Sequence, residues 1–303
     1  MIALKEVTKY FGARRAVNNL TLTVPRGEIF GLLGHNGAGK STAIGMMLGQ
    51  VWPSSGEVRL CGHEVTTHRA LALQKVGAIF ETPAFYDYLS GWRNLEILSH
   101  YTAPTSRERI REVVDWVGLT GREHSPVRTY SHGMRARLAL AQTLLPQPEL
   151  LILDEPGGGL DPEGIAEMRR TILRLHDELG LTILLSSHLL TEVEQLCSRI
   201  AVLHQGSKVF EGRVTEIKAA YNRSRVALRT PNFDAATALL RERGLITGAE
   251  AERYIALREG VTPAEVVREL VTAGYAVEGI WPQEQTLEDF YLDLVKAAAV
   301  QEN

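Results

Sequence analysis

The chain has 303 residues, with 45% hydrophobic and 23% charged, the balance of a globular protein with room for a sizeable core and about two domains. A net charge of −3 points to neither nucleic acid nor an anionic membrane surface. Cys61 and Cys197 lack metal-ligand spacing and read as reduced thiols of a cytosolic protein; the first residues carry no apolar signal core, and no apolar run approaches the ~18 residues of a membrane helix.

In chain order, Ile2–Thr8 and Leu20–Val24 alternate or run apolar, which predicts strands. Pro25-Arg26-Gly27 predicts a turn, and Ile29–Leu33 a short buried strand. A glycine-rich loop follows, then a helix to about Gln50. "PSSGEV" turns into a strand near Val58, and Val76–Phe80 is another apolar strand. From Pro83 to about Pro146 the pattern is helical. Glu108, Ile110, Val113, Val114 and Val117 predict an amphipathic helix ending near Gly118, and Arg135–Leu145 a second. "ELLILD" and "LTILLSS" are β-like runs separated by a helix over Gly164–Leu179. Strands alternating with helices and buried on both faces predict an α/β core with a mostly parallel sheet.

The character shifts at Val214–Ser224, where "AAYNRSR" reads as a linker. Beyond it, Arg225–Arg229 predicts a strand and Asp234–Arg243 a helix. Thr262-Pro263-Ala264-Glu265 has the pattern of a capping box with proline at the first helical position, and Thr286–Leu294 predicts a last amphipathic helix. The expected domains are therefore residues 1–220, with a helical subdomain at about 83–146, and residues 221–303, a small α+β domain.

"GHNGAGKST" fits G-x-x-x-x-G-K-[ST] at Gly34, Gly39, Lys40 and Ser41, between an apolar strand and a helix. Glycines let the backbone N–H groups of Gly34, Asn36, Gly37, Ala38, Gly39 and the following Thr42 turn inward around phosphates, and the helix N-terminus adds partial positive charge. In that geometry Lys40 reaches the β- and γ-phosphates, and the Ser41 hydroxyl ligates Mg²⁺. "ELLILDEP" ends an apolar strand in Asp154 and Glu155. An Asp there is placed to hold Mg²⁺, and the second acid to act as general base toward water.

With these motifs in order, the chain resembles the ATP-binding subunit of ABC transporters over roughly its first two thirds. "YSHGMRARLALAQTLL" looks like the family signature and its helix, with Ser131, His132 and Gly133 at its core; "GLDP" looks like the D-loop with Asp161; "SSH" ends in a residue like the switch histidine, His188. Tyr10-Phe11-Gly12 looks like the adenine-stacking loop, with Phe11 favoured and Tyr10 in reserve. The resemblance implies two copies meeting head to tail, with each ATP between Lys40 and Ser41 of one copy and Ser131–Gly133 of the other. It implies Glu155 activating water, His188 holding the γ-phosphate, and Asp161 communicating across the interface. A homodimer and a separately encoded transmembrane permease are the implied partners, no nucleic acid is expected, and the implied location is cytoplasmic, peripheral on the inner face of the membrane.

The chain departs from the family pattern at named places. Glu81 stands where the family usually has glutamine; it reads as a Mg²⁺ ligand or as a solvated strand-end acid, and resembles an exporter branch that includes bacitracin-type resistance ATPases. His132 and Met134-Arg135 replace usual signature residues, and Gly157 and Gly158 replace more polar ones. Phe85, Tyr86, Tyr88 and Trp92 suit either the groove that receives a permease helix or the core of the helical subdomain. "QTLEDFYLDLVK" resembles the ending of bacterial drug, lipid and ion exporter ATPases, which favours export. The alternatives are an ABC ATPase acting on nucleic acid or ribosomes, and a regulatory nucleotide-binding protein.

Overall fold

The structure, a computed structural model, describes residues 1–80, 84–102, 105–217, 225–250, 253–282, 287–292 and 294. The chain divides into two compact units, Met1–Gly212 and Arg213–Ala297.

The first unit holds two sheets. One is antiparallel, in the order β2-β1-β4-β5, built from β1 (Ile2–Phe11), β2 (Arg14–Val24), β4 (Ser55–Leu60) and β5 (His63–Glu64). Leu20, Leu22 and Val24 are buried at a period of two, as a half-solvated sheet requires. The first hairpin runs further than the apolar pattern predicts, to Phe11 and from Arg14, around Gly12 at φ +59°. Its tips carry exposed side chains, Phe11 and Arg14 among them, so alternation fails there while the backbone pairing continues.

The second sheet runs β10-β9-β3-β8-β7-β6: β3 (Ile29–Leu33), β6 (Val76–Ile79), β7 (Leu150–Asp154), β8 (Thr182–Ser187), β9 (Arg199–His204) and β10 (Ser207–Arg213). Strands β9, β3, β8, β7 and β6 pair in parallel. Ile29–Leu33 are buried without interruption, as strands covered on both faces must be. Register places Leu33 opposite Ser187 and Asp154 opposite Ser186, so the carboxyl ends of three central strands finish together. That edge is where open α/β sheets bind ligands.

Helices in this unit are α1 (Lys40–Met47), α2 (Arg69–Leu73), α3 (Gly91–Thr102), α4 (Arg107–Trp116), α5 (His132–Leu144), α6 (Pro162–Leu179) and α7 (Leu190–Leu196). Helix α4 buries Ile110, Val113 and Val114, and the Ser106 hydroxyl caps it. Helices α5 and α6 begin two or three residues before their predicted starts, because Ser131 and Asp161 cap them. Strands β5, β9 and β10 and helices α2 and α7 are absent from the elements predicted above, while α3 lies within the stretch predicted to be helical. Cys197, just after α7, is buried, which pushes its thiol pKa far above the ordinary value.

The second unit is an antiparallel sheet in the order β12-β13-β11-β14: β11 (Arg225–Arg229), β12 (Ile246–Glu250), β13 (Tyr254–Leu257) and β14 (Gly279–Pro282). The helices Phe233–Glu242 and Pro263–Thr272 pack on it around Leu228, Leu240, Ile255, Val266 and Leu270. The predicted capping box is present, with Thr262 and Glu265 exchanging side-chain-to-backbone hydrogen bonds. Residues 218–224 of the predicted linker, and Thr286 and residue 293 of the predicted last helix, lie outside the described residues; 287–292 are helical.

One close approach fixes where α5 lies. A β-carbon at Gly77 would sit 2.4 Å from the Thr143 carbonyl oxygen and 2.8 Å from Leu151 Cδ2, so strand β6 meets the helix backbone to backbone. Gly77→Ala is expected to lower stability by about 1–3 kcal/mol, the range for overpacking a tight interior, as a lowered denaturation midpoint in urea.

Candidate functional site

Strand β3 delivers the glycine-rich loop, and the loop's geometry demands its glycines. Gly34 lies at φ +156° and Gly39 at φ +103°; β-carbons there would fall 2.6 Å from the Leu203 carbonyl oxygen and 2.7 Å from that of Ala16. Lys40 opens α1, is only 6% exposed, and donates to the Gly34 carbonyl at 2.6 Å. Its ammonium also lies 3.5 Å from Glu155 Oε1.

Glu155 follows the end of β7. Its backbone is in the left-handed region at φ +49°, a strained conformation for a residue with a side chain. Its N–H donates to the Ser186 carbonyl at 3.2 Å and to the Ser186 hydroxyl at 3.1 Å, and its carbonyl accepts from Gly158 N–H at 2.9 Å. The strain turns the carboxylate between two elements. Oε1 faces Lys40, while Oε2 accepts from His188 Nδ1 at 2.6 Å. This contact fixes the imidazole proton on Nδ1. Lysine from the strand 3 loop, carboxylate from strand 7 and imidazole from strand 8 thus form one continuous chain of contacts.

These groups line a cavity of about 510 Å³ together with Phe11, Asn36, Gly37, Gly39, Ser41 and Thr42. A volume of that size admits a nucleotide-sized ligand. Phe11 reaches the cavity from the tip of β1 and is 51% exposed; Tyr10 points elsewhere, and Lys9 sits 4.9 Å above the Phe11 ring. Arg14, Ala16, His35 and Gly158 also line it, and sequence reasoning assigned none of them to the site. Arg14 and Ala16 share a face of β2, so the period of two beyond Gly12 was the available signal.

Other predicted residues are placed differently. Ala38 is fully buried under the loop. Asp154 accepts a short hydrogen bond from the Ser186 hydroxyl and lines a second cavity of about 610 Å³ with Glu155, Phe85, Arg135 and His132. Ser131 caps α5, accepting from Met134 N–H at 3.2 Å, and Asp161 caps α6, accepting from Gly164 N–H at 2.9 Å. Ser131, His132, Gly133 and Asp161 are not among the residues lining the loop's cavity. Glu81 lies outside the described residues.

The aromatic run divides. Phe85 turns into the second cavity, whereas Tyr86 and Tyr88 stand 44% and 73% exposed. Buried Asn94 grips this loop, accepting from Tyr86 N–H at 2.8 Å and donating to its carbonyl at 3.1 Å. An ion pair between Arg135 and Asp87, 2.8 Å long, ties it to α5.

The family model described as "ABC transporter" matches residues 17–158. The chain is 36% identical over 304 residues to the bacitracin transport ATP-binding protein BcrA of Enterococcus faecalis, covering 99% of this chain and 98% of that one. It is 47% identical over 209 residues to the uncharacterized ABC transporter ATP-binding protein YhcH of Bacillus subtilis (strain 168), covering 69% of this chain and 68% of that one. Among solved structures, the dimeric post-hydrolysis state of the ATP-binding cassette MJ0796 bound to ADP and Pi superposes with a TM-score of 0.63 at 23% identity, over 71% of this chain and 99% of that one.

Lys40→Ala removes the cation at the centre of the cavity and leaves Glu155 without its ion-pair partner. Affinity for a nucleoside triphosphate is expected to fall by about tenfold or more, the cost of losing a charge-assisted contact, measured by isothermal titration.

Proposed function

The chain belongs to the ABC transporter ATP-binding proteins, and from that premise we propose that two copies hydrolyse ATP between them to power a separately encoded membrane exporter of a drug- or antibiotic-type compound. One observation carries the reading. The cavity gathers the phosphate loop, Glu155 and His188, whereas Ser131, Gly133 and Asp161 of the same chain do not line it. In this reading the signature residues serve a site that another copy completes, which the dimeric cassette MJ0796 supports.

In this reading the loop N–H groups and Lys40 hold the phosphates, and Phe11 stacks on the base. Glu155 takes a proton from the attacking water, and His188, held by the same carboxylate, positions the γ-phosphate. Mg²⁺, when bound, screens charge on the phosphate oxygens. Ser41, Asp154 and Glu81 are its proposed protein ligands; Ser41 is solvent-facing at the start of α1, and the oxygen donor set suits a hard cation. The family's cassettes work as dimers, and MJ0796 was solved as one.

The likeness to BcrA, whose name records bacitracin transport, supports an antibiotic-type compound, and the exporter-like ending "QTLEDFYLDLVK" supports export. Among the described residues no helix is long and apolar enough to cross a membrane, which suits a subunit docked on the inner face through a permease. The anchored, exposed Tyr86 and Tyr88 are the proposed contact for that permease.

Glu155→Gln is expected to slow ATP turnover by about 10²- to 10⁴-fold, the usual worth of a general base, while ATP binding persists. With ATP it is expected to sediment as a dimer; unimpaired turnover would remove Glu155 from the base role, and a monomer would remove the composite site. Glu81→Gln is expected to keep most turnover but raise the Mg²⁺ concentration needed for half-maximal rate; an unchanged Mg²⁺ dependence would exclude Glu81 as a ligand.

A further inference from the structure

Glu192 has no part in the roles assigned above. It lies on α7, four residues after His188, and is only 8% exposed. One carboxylate oxygen, Oε2, accepts from the Ser187 hydroxyl at 3.4 Å; the other, Oε1, has no hydrogen-bond partner. Burying a carboxyl so incompletely satisfied is costly, and an apolar side chain would fill the same volume without that cost. Burial pushes its pKa above the ordinary value, ahead of the Ser187 hydrogen bond and Arg169, which pull it down, while Glu155 pushes it up and His188 pulls it down.

The group facing it is Gly157, buried in the turn that follows Glu155. A β-carbon at Gly157 would lie 2.4 Å from Glu192 Oε1, 2.9 Å from Oε2 and 3.0 Å from its carboxyl carbon. The φ of Gly157 is outside the left-handed region, so the backbone conformation does not call for glycine there. The Glu192 carboxyl occupies the space a side chain there would take, and would have to swing aside to admit one. The same turn is closed by Gly158 N–H to the Glu155 carbonyl at 2.9 Å and Leu160 N–H to the Gly157 carbonyl at 3.2 Å, and it runs directly into Asp161 and α6. Arg169 of α6 lines the same small cavity as Gly157 and Glu192.

We propose that Glu192 is a positioning residue for hydrolysis: its carboxyl, seated in the space left by Gly157, locks the turn after Glu155 to the helix after His188. The contact between Glu155 and His188 spans two strand ends, one extended by a turn and the other by helix α7. The seat of Glu192 against Gly157 joins those segments a second time, behind the reacting groups, and so fixes the separation of carboxylate and imidazole. It also bears on the first position of the two-glycine departure from the family pattern: a larger side chain there would have to push this carboxyl out of its seat. The inference rests on the reading of Glu155 and His188 as the hydrolytic pair.

The test is steady-state ATP turnover by the full chain with saturating Mg²⁺, beside thermal melting. Glu192→Ala is expected to lower kcat by about tenfold or more with KM for ATP within about threefold, the pattern of an interaction used after binding. Glu192→Gln, which keeps the shape and resembles the protonated acid, is expected to restore kcat to within about threefold of wild type. Gly157→Ala displaces the carboxyl and is expected to lower kcat in the same way, whereas Gly157→Ala with Glu192→Ala is expected to lose less than the two single losses combined, because the methyl enters vacated space. A Glu192→Ala protein that melts earlier but turns over ATP at the wild-type kcat would overturn the inference, as would full additivity in the double variant. Should Glu192→Ala fail to fold, Gly157→Ala alone decides, and an unchanged kcat there overturns the proposal. A wild-type chain that binds but never hydrolyses ATP would instead overturn the reading on which it rests, and this inference with it.

Discussion

Lys40 is a charge held almost entirely out of water, at 6% exposure, and the rest of the site is arranged around making that tolerable. An ammonium in such a place needs a counter-charge and hydrogen-bond acceptors, because an uncompensated buried charge is worth several kcal/mol of destabilisation. Here the Gly34 carbonyl and the Glu155 carboxylate meet the need. Both come from strands whose parallel register brings their ends level, with Leu33 opposite Ser187 and Asp154 opposite Ser186. Sheet topology therefore sets the electrostatics: a slip of one residue between strands 3, 8 and 7 would move the carboxylate away from the ammonium and to the other face. The ion pair is also provisional. Under the proposed function, a triphosphate in the cavity would offer Lys40 a stronger anion and would free Glu155 from its pairing to act as a base.

Most of this site was legible in the sequence, since phosphate loops are written as contiguous residues whose chemistry is local. The turn geometry of Gly34 and Gly39 and the burial of Ile29–Leu33 follow from residue type alone. What could not be read locally is whatever depends on the meeting of distant segments. Arg14 and Ala16 enter the cavity because a second, antiparallel sheet brings β2 beside the loop. The Glu192 carboxyl and Gly157 are adjacent only because β7 and β8 are neighbours; in sequence, Gly157 was a departure with no evident consequence. Helix α7 was missed for a similar reason: it is a short element with no capping side chain, and its amphipathic signal is brief. The hairpin was underestimated because pairing, unlike apolar alternation, persists where side chains are solvated.

Ser131 and Asp161, proposed above for the composite site, each have a structural role within their own chain. A serine at the start of α5 is the expected N-cap, and its hydroxyl is satisfied within its own chain. The same is true of the Asp161 carboxylate at the start of α6. Each cap leaves the helix N-terminus pointed outward with its remaining N–H groups free of intrahelical partners.

Glu155 stands at φ +49°, where a side-chain-bearing residue is held against its own preference by hydrogen bonds from β8 and from within the turn. Glycine in that position would relax the backbone at once. The fold therefore carries a residue that is thermodynamically wrong for its place, by about 1 kcal/mol or more. Glycine there would relieve the torsion but would also leave the Lys40 ammonium without its counter-charge, so backbone strain and ion pair pull stability in opposite directions at this one residue. Any programme of consensus or heat-driven engineering on this chain will thus meet a trade-off at a single backbone torsion, and resistance to unfolding will be a misleading guide to whether the cassette still turns over.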